Sequence, residues 1–545
     1  MKNLISILCV CLLNLTLGFG QTTISGAVSD DEGIPLPGAS IIEEGTSNGT
    51  ITDFDGNFTL QIGDDSSIVI SYVGYENLIL QSDADFSQIA LIQSNALEEV
   101  VVTSFGLTRE KKSIGYSQQS VGGEQLVKAR ETDIGNALAG KIAGVQIVGN
   151  NSSTFGASTI RLRGSDDVLY VVDGVRIYTP GDINTDNVAD ISVLKGASAT
   201  ALYGPEGRNG VIIVTSKIGT SGKATFEIDQ SIAVNQLAEL PPYQNEYGGG
   251  YSQSFNTFNY DPSVDPADWA SFDGQPYPEF YADESWGPKL DGTPVRHWDS
   301  WTPGTPEFGK LRPWVPSPND VDSFYEDAIT SNTTLSFSKA DKDYNIRSAI
   351  SYIDQQGIIP NSKNKTIRFN LNLSYNITDK FTFVTNLNIE DREMLNNPDQ
   401  NYGNLGSNFN QWWQRQLDFD RLKDYEAGGQ IISWNSRGPR DGRPLYWDMP
   451  LFGSFENYKN YNKNSSYGKV GVNYKFNEKF NAKVEVRKTF HSFIQDDRGT
   501  TKSTLDPAFF SVFQSRNERT DFYGMVTYND KFLNDDLTLN ARIGA

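Results

Sequence analysis

The feature that most constrains this chain is a two-residue alternation of apolar and polar side chains in its second half. From Ile367 to Ile377, every odd-numbered position is apolar and every even-numbered position is polar. The same alternation returns in residues 470–476, 480–487 and 537–543. Because successive side chains of a β-strand point to opposite faces, these segments predict strands with one apolar and one polar face. A transmembrane barrel with a wet lumen and a soluble antiparallel sheet both fit this pattern.

The lengths of the connections distinguish these two folds. Nine strands are predicted, at residues 224–234, 330–339, 343–354, 365–378, 380–391, 465–476, 479–490, 520–529 and 536–544. Long connections, two of them of roughly 70–95 residues, alternate with short turns, as in outer-membrane barrels. A soluble sandwich has no reason to keep every second connection short. Aromatic residues also flank the short turns, as an interfacial girdle requires. The sequence therefore favours part of a large transmembrane antiparallel β-barrel.

The first twenty residues have the layout of a secretory signal peptide. Lys2 precedes an apolar run over residues 4–17, and small residues precede a cleavage point before Gln21. Both cysteines, Cys9 and Cys11, lie in this segment, so we expect an exported chain without thiol or lipid anchor. No later stretch reaches the 18 or so apolar residues of a membrane-spanning helix.

Composition excludes several classes of chemistry. A net charge of -22 argues against a nucleic-acid partner, which would require a basic face. The only histidines are His297 and His491, and both cysteines lie in the predicted signal peptide, so ligands for a zinc hydrolase or an iron–sulfur cluster are missing. We expect no metal, no cofactor and no catalytic residue.

The chain before the barrel divides into two blocks by charge. Residues 21–108 carry 14 acidic side chains and no Lys or Arg, and their short alternating strands predict a β-sandwich. Within it, Asp55-Gly56 predicts a hairpin between residues 50–54 and 58–62. Residues 109–217 mix short strands with a short helix near Ile134, which is typical of an α+β unit.

All nine tryptophans fall in the two longest connections of the predicted barrel. Trp412 and Trp413 are the strongest candidates for contact with a ligand or a docking protein, because aromatic rings supply stacking surfaces. The alternative is that connections this long need aromatic cores of their own. For any single tryptophan the core is favoured; for the cluster as a whole, ligand or partner contact is favoured.

Several motifs together resemble those of the SusC/RagA family of TonB-dependent outer-membrane transporters. Three stretches are similar to the carboxypeptidase-regulatory-like domain that often precedes these transporters: PLPGASI, TDFDGNFTL and ISYVGYE. Residues 97–106 (LEEVVVTSFG) look like the TonB box of this family. The match to its plug domain comprises residues 136–147, 160–164, 169–177 and 182–217.

The resemblance implies a domain organisation and a set of site residues. The implied domains are a signal peptide (1–20), a carboxypeptidase-regulatory-like β-sandwich (21–95), a TonB box and linker (96–112), a plug (113–218) and the amino-terminal part of the barrel (219–545). The implied TonB-binding residues are Glu99, Val100, Val101, Val102 and Thr103. The implied plug-motif residues are Arg161, Arg163, Gly164, Asp173, Gly174, Lys195 and Gly210. A β-branched run can add a strand to a partner's sheet, although an ordinary edge strand would look the same.

The function implied by the resemblance is energised import across the bacterial outer membrane, without catalysis. The implied partners are TonB with ExbB and ExbD, a SusD-like surface lipoprotein, outer-membrane lipid, and an oligosaccharide ligand. Peptide import is the alternative ligand class, and a secreted glycan-binding or glycan-hydrolysing protein is the alternative from a different class. Family barrels close at about 22 strands, so nine strands predict an amino-terminal fragment.

Overall fold

A computed structural model gives the structure of the protein, and contacts between residues divide it into two compact units. One unit comprises residues 1–103 and 107–115, and the other comprises residues 104–106 and 116–545. The described residues are 21–30, 33–44, 46, 48–63, 66–72, 75, 77–92, 100–103, 107–110, 118–127, 131–149, 155–219, 222–397, 409, 411–532 and 537–545. The predicted signal peptide and Glu99 lie outside them.

The first unit contains the predicted β-sandwich. Its three-stranded sheet has the order Asn57–Gly63, Gln21–Asp30, Ile89–Leu91, and its four-stranded sheet has the order Gly49–Ile51, Ser40–Glu43, Ser67–Ser71, Leu78–Gln81. Ile41, Ile68 and Ile70 are fully buried in the core between the two sheets. Every second side chain of these strands therefore faces the opposite sheet, as alternation predicts.

The predicted hairpin at Asp55-Gly56 is wrong. The strands on either side of this turn belong to different sheets: Gly49–Ile51 pairs with Ser40–Glu43, whereas Asn57–Gly63 pairs with Gln21–Asp30. The cause is Thr52, whose buried hydroxyl donates to the Leu36 carbonyl and accepts from the Ala39 amide. This contact ends the first strand and sends the chain across the sandwich.

The same unit ends in a two-stranded ribbon of Val100–Thr103 and Leu107–Glu110. Val101 lies opposite Arg109, and Val102 lies opposite Thr108. The predicted TonB-box run is therefore extended. Within the described residues, the strand has one paired and one unpaired edge.

The second unit begins with a small α+β domain, which we call the plug. Its five-stranded sheet has the order Gln118–Gly122, Val188–Leu194, Val211–Ser216, Leu169–Val172, Val175–Ile177. Val145–Val148 and Thr159–Leu162 form a separate antiparallel pair. The α-helices are Gly123–Val127, Ile134–Leu138 and Ala197–Tyr203, and the 3-10 turns are Pro180–Asp182, Thr185–Asn187 and Gly204–Gly207. Apolar side chains from both sheets and from the helix capped by Asp133 form its core.

Nine antiparallel strands form one continuous sheet, which we call the strand wall. In chain order they are Thr225–Asn235, Ala328–Ala340, Tyr344–Gln356, Lys363–Thr378, Phe381–Leu395, Tyr458–Lys475, Phe480–Gly499, Phe509–Phe532 and Leu537–Gly544. The nine predicted strands are confirmed, but several are longer at the ends that lead to the long connections. The sixth strand begins at Tyr458 rather than at 465, because residues 458–464 (YKNYNKN) are polar on both faces and hide the alternation.

The two faces of the strand wall differ as the alternation predicts. Ile367, Val470 and Val484 lie on the outer face and are about half exposed, whereas polar side chains such as Asn370 and Glu485 are buried on the inner face. The predicted fold class is confirmed: mainly β, with a sandwich, a plug and part of a large barrel. None of the helices among the described residues is long and apolar enough to cross a membrane.

The two longest connections, residues 236–327 and 396–457, form what we call the loop body. Its helical segments are Ala267–Phe272, Trp298–Ser300, Val321–Phe324, Phe419–Leu422 and Pro450–Glu456. Its short strand pairs are Asn256–Thr257 with Pro276–Tyr277, Pro294–Val295 with Arg312–Pro313, Glu426–Ala427 with Gln430–Ile431, and Ser436–Gly438 with Asp441–Pro444. Side chains from both connections share one hydrophobic core.

Candidate functional site

The plug contacts the inner face of the strand wall through a buried cluster of charges. The Lys463 ammonium lies 2.5 Å from an Asp182 carboxylate oxygen of the plug and 2.9 Å from a Glu390 oxygen of the wall. Arg368 donates to the other Glu390 oxygen at 2.7 Å and to the Gly181 carbonyl of the plug at 3.3 Å. All four charged side chains are at most 8% exposed. Each charge in this cluster is therefore stabilised by an opposite charge, as burial requires.

Hydrogen bonds with uncharged side chains of the wall extend the interface along the 3-10 turns of the plug. The Asp186 carboxylate accepts hydrogen bonds of 3.0 Å from Asn332 and from Thr334 of the wall. Asn184 donates to the Asn370 side-chain oxygen at 2.7 Å. These side chains are buried, so polar groups make a large contribution to the contact between plug and wall, beside the apolar contact of Phe155 with Met394 and Tyr461.

Asp173 and Gly174, two predicted plug-motif residues, form a tight turn at this interface. Both have positive φ, 49° at Asp173 and 87° at Gly174. One Asp173 oxygen accepts from the Ser216 amide of the plug, and the other accepts from Asn386 of the wall at 2.7 Å. The Arg487 guanidinium donates to the Gly174 carbonyl at 2.8 Å. This turn therefore connects the plug sheet directly to two wall strands.

The other predicted plug-motif residues act inside the plug. The Lys195 ammonium donates to the Gln119 side chain at 2.7 Å and to the Ala143 carbonyl. It therefore connects the five-stranded sheet of the plug to the segment just before the strand Val145–Val148. Burial, and then the charge of Arg163, lower the pKa of Lys195. Gly210 has φ 111°, and a Cβ there would lie 2.1 Å from a Leu162 methyl carbon. These residues shape the plug and do not contact the wall through any described bond.

The three remaining members of that set lie at or directly before a surface turn of the plug. Arg163 and Gly164 both have positive φ, at 54° and 88°. Arg161 forms a long ion pair of 3.7 Å with Asp166, and both side chains are substantially exposed. An exposed pair of this kind contributes little to stability. We conclude that the geometry of the turn, rather than the ion pair, is what these positions supply.

A polar cavity of about 270 Å³ lies between the plug and the wall. Its plug side is lined by residues around Asp133 and Phe155, and its wall side is lined by Arg368 and Arg392 with hydroxyl and amide side chains. The wall residues belong to the strand ends that lead to the long connections. The cavity therefore opens on the same half of the wall as the loop body.

The loop body has a different, aromatic chemistry. Trp301 is 2% exposed and packs with ring-centroid distances of 4.8 Å to Phe258 and 5.6 Å to Trp269. Trp413 is also buried, and it stacks on Phe419 at 5.0 Å. The burial of Trp413 favours the loop-core alternative for that residue, whereas Trp412 is only half-buried.

Two buried ionisable groups in the loop body have shifted pKa values. Asp299 is fully buried between Arg312 and Arg421; burial raises its pKa, and the two guanidinium charges act in the opposite direction. Burial, followed by the charge of Arg312, lowers the pKa of His297 to about 3, so this imidazole is neutral at pH 7. Within the described ranges, no three residues of the types that hold metal ions are grouped together.

Two family models match the chain in the regions that form the sandwich and the plug. Residues 24–102 match the CarboxypepD_reg-like domain, and residues 110–211 match the TonB-dependent Receptor Plug Domain. A plug held against the inner face of a large antiparallel wall is the arrangement of a TonB-dependent receptor. The chain is a homologue of the SusC-type receptors of this class.

Relatives of the chain are TonB-dependent receptors, and a solved structure shares its fold. The chain is 30% identical over 407 residues to the TonB-dependent receptor SusC of Bacteroides thetaiotaomicron, which is 70% of this chain and 36% of SusC. It is 36% identical over 256 residues to the TonB-dependent receptor P3 of Formosa agariphila, which is 43% of this chain and 25% of P3. A chain of the RagAB peptide importer in its open-open state shares the fold, with TM-score 0.61 and 17% identity over 82% of this chain and 48% of that chain. The chain thus spans less than half the length of these proteins.

Sequence reasoning missed the charges that hold the plug. Glu390 and Arg368 occupy inward positions of alternating wall strands, so alternation could have flagged them as buried charges, whereas Lys463 lies in the stretch 458–464, where the alternation is hidden. Asp182 is the first residue of the plug stretch 182–217, but no residue near it in sequence indicates that it pairs with Lys463. The pairing depends on which strands the plug faces, and only the tertiary structure contains that information.

Proposed function

We propose that the receptor to which this chain belongs imports a nutrient ligand across the bacterial outer membrane, with the plug as its gate. The observation that carries this proposal is the polar interface between plug and wall. Buried ion pairs and amide contacts such as Asp182 with Lys463 can be replaced by water when the plug moves. An apolar interface of the same size would resist that movement through the hydrophobic effect.

The energy for this movement would come from TonB, with ExbB and ExbD, acting on the segment 99–103. The strand Val100–Thr103 has one unpaired edge among the described residues, which suits the addition of a partner strand through main-chain hydrogen bonds. A pull on this segment would reach the plug, whose match begins at residue 110. No bond of the ligand is made or broken in this scheme.

We propose an oligosaccharide as the ligand, taken up with a SusD-like lipoprotein that covers the loop body. Exposed aromatic side chains on the loop body, Trp286, Tyr281 and Tyr446, offer the stacking surfaces that sugars and protein partners use. Peptide import is the alternative ligand class, and the fold that the chain shares with a peptide importer is compatible with it. The exported protein would reside in the outer membrane after cleavage of its signal peptide.

The central experiment separates ligand binding from energised uptake in the complete receptor. Val101→Pro removes a backbone N–H and fixes φ, so it should abolish accumulation of labelled ligand while leaving surface binding intact. Val101→Ala keeps the N–H and should be milder. Normal accumulation by Val101→Pro would show that the TonB-binding segment lies elsewhere.

A matched control comes from the opposite strand of the ribbon. Thr108→Pro disturbs the pairing with Val102 from the other side and leaves residues 99–103 unchanged. It should therefore retain accumulation if TonB binds the first strand. Loss of both binding and accumulation in Val101→Pro would instead indicate a folding defect. Release of new reducing ends from a glycan panel would overturn the purely transporting role in favour of a glycan hydrolase.

A further inference from the structure

The cavity between plug and wall contains a guanidinium with no carboxylate partner among the residues the structure describes. Arg392 lines this cavity; its Nε donates to the Asn364 side-chain oxygen at 2.9 Å, and its Nη2 donates to the Phe155 carbonyl. Both acceptors are neutral, and no described ion pair engages this guanidinium, although the Glu390 carboxylate lies near enough to act on its charge. A cation held beside a partly enclosed cavity attracts an anion strongly, because little water screens it.

The acidic groups near Arg392 are mostly engaged elsewhere. Glu390 is held by Arg368 and Lys463. The two oxygens of Asp133 accept the backbone amides of Asn136 and Ser158 at 2.9 and 3.0 Å. Glu131 is the remaining acid of the cavity lining. The cavity thus presents one guanidinium and one carboxylate that no described ion pair engages.

The rest of the lining consists largely of hydroxyl and amide groups, which are Thr132, Asn136, Asn235, Thr330, Gln355, Asn364 and Thr366. Thr330 is 8% exposed, and its hydroxyl makes no hydrogen bond with any described residue. Unpartnered buried hydroxyls are costly, so this group gains when a ligand supplies a partner. Phe155 and Ile353 supply two of the few apolar contacts. Such a lining suits a polyol much better than an apolar side chain.

We propose that this cavity binds a hexuronate unit, with the sugar carboxylate on Arg392 and the ring hydroxyls on the surrounding amides, Thr330 and Glu131. A charged guanidinium binds a carboxylate through short, directional hydrogen bonds, which favours the acid over the neutral sugar. A volume of about 270 Å³ accommodates one pyranose ring and lies near the lower end of the range for small-molecule sites. This inference deepens the proposed function and rests on it: the imported oligosaccharide would be acidic.

The test is calorimetric titration of the complete purified receptor with glucuronate and with glucose. We expect glucuronate to bind at least tenfold more tightly than glucose. Arg392→Gln should weaken glucuronate binding at least tenfold, because the amide keeps a hydrogen bond but not the charge. Arg392→Lys keeps the charge and should retain more affinity than Arg392→Gln.

The control variant is Arg443→Gln, which removes an exposed arginine of the loop body paired with Asp441. It should bind glucuronate as the unchanged receptor does. Equal glucuronate affinity in Arg392→Gln and the unchanged receptor, or no detectable binding of glucuronate, would overturn the site. Acetate that binds as tightly as glucuronate would overturn the sugar part of the proposal.

These outcomes are independent of energy coupling. The titration contains no TonB, so a receptor that fails to import would still bind glucuronate if the cavity is a uronate site. Conversely, normal uptake of a neutral oligosaccharide by Arg392→Gln, together with unchanged glucuronate affinity, would leave the importer intact and remove the acidic-sugar inference alone. Equal melting temperatures of the variants would exclude a general folding defect as the cause of lost binding.

Discussion

The plug–wall interface and the loop body both join segments that are distant in sequence, but the first does so through polar contacts and the second through aromatic packing. The plug meets the wall through ion pairs and amides such as Lys463 with Asp182, whereas the two long connections meet through packed rings around Trp301 and Trp413. When water replaces a polar contact, the net change in free energy is small. When an aromatic core is opened, its apolar surface is exposed and the free energy of burial is lost. The part proposed to move is therefore held by exchangeable contacts, and the part proposed to present a surface is held by a fixed core.

The largest expected effect tests the rigidity of the loop body. Trp301→Ala should destabilise it by about 3–5 kcal/mol, since a fully buried ring leaves a cavity among Phe258, Trp269 and Phe272. Hydrogen exchange of residues 236–327 should accelerate while exchange in the wall stays unchanged. Trp286→Ala is the matched control, because that side chain is 69% exposed and its loss should cost under about 0.5 kcal/mol. Equal effects of the two variants would contradict a fixed aromatic core.

The second prediction weakens the plug–wall interface without creating a cavity. Glu390→Gln keeps the size of the side chain but removes the charge between Arg368 and Lys463, at a cost of roughly 1.5–3 kcal/mol. Hydrogen exchange should accelerate at the plug turns 180–187 and remain unchanged in the loop body. Unchanged protection of these turns would show that the ion cluster does not hold the plug.

The third prediction separates the two adjacent tryptophans. Trp412→Ala should weaken ligand or lipoprotein binding by about 1–3 kcal/mol if this half-buried ring is an anchor of the docking surface. Trp413→Ala should instead lower the melting temperature, because its ring is buried against Phe419 and Trp434. Calorimetric titration and thermal unfolding of both variants give the answer. Unchanged affinity with lower stability in both would assign both rings to the loop core.

The smallest effect concerns pH. The pKa of Asp448 in the loop body is raised from 3.8 to about 6, mainly by burial; the Ser503 hydrogen bond lowers the pKa and the charge of Asp506 raises it, and both effects are smaller than that of burial. The folded state therefore holds a proton that the unfolded chain releases near pH 4, so this contribution is present below about pH 4 and is lost as pH rises through about 6. The loss should be about 1–2 kcal/mol after allowance for partial exposure.

Asp448→Asn isolates this group. The difference in melting temperature between the variant and the unchanged receptor should grow between pH 4 and pH 6 in favour of the variant. The comparison must be made at each pH, because His297, with its pKa lowered to about 3 by burial, shifts stability in the opposite direction below its ordinary pKa. A constant difference across this range would show that Asp448 is not perturbed.

The sequence predicts which face or domain many residues of the candidate site occupy, but not which residues they contact. Alternation placed Arg368 and Asn370 on the same face, and recognised motifs placed Asp173 and Gly174 in the plug. Neither could show that Asp173 accepts from Asn386, since 213 residues separate them. The failed hairpin at Asp55-Gly56 has the same origin: a turn motif is local, whereas the choice of sheet depended on the buried hydroxyl of Thr52.

The fold class, the nine wall strands, the plug and the resemblance to SusC/RagA transporters could be inferred from the sequence alone, because periodicity, connection length and local motifs carry them. Only the tertiary structure decided which charges meet, that Trp413 belongs to a core, and that Arg392 lines a cavity without a described carboxylate partner. The physical reason is that periodicity fixes the face on which a side chain lies, whereas a contact depends on two elements brought together by the whole fold.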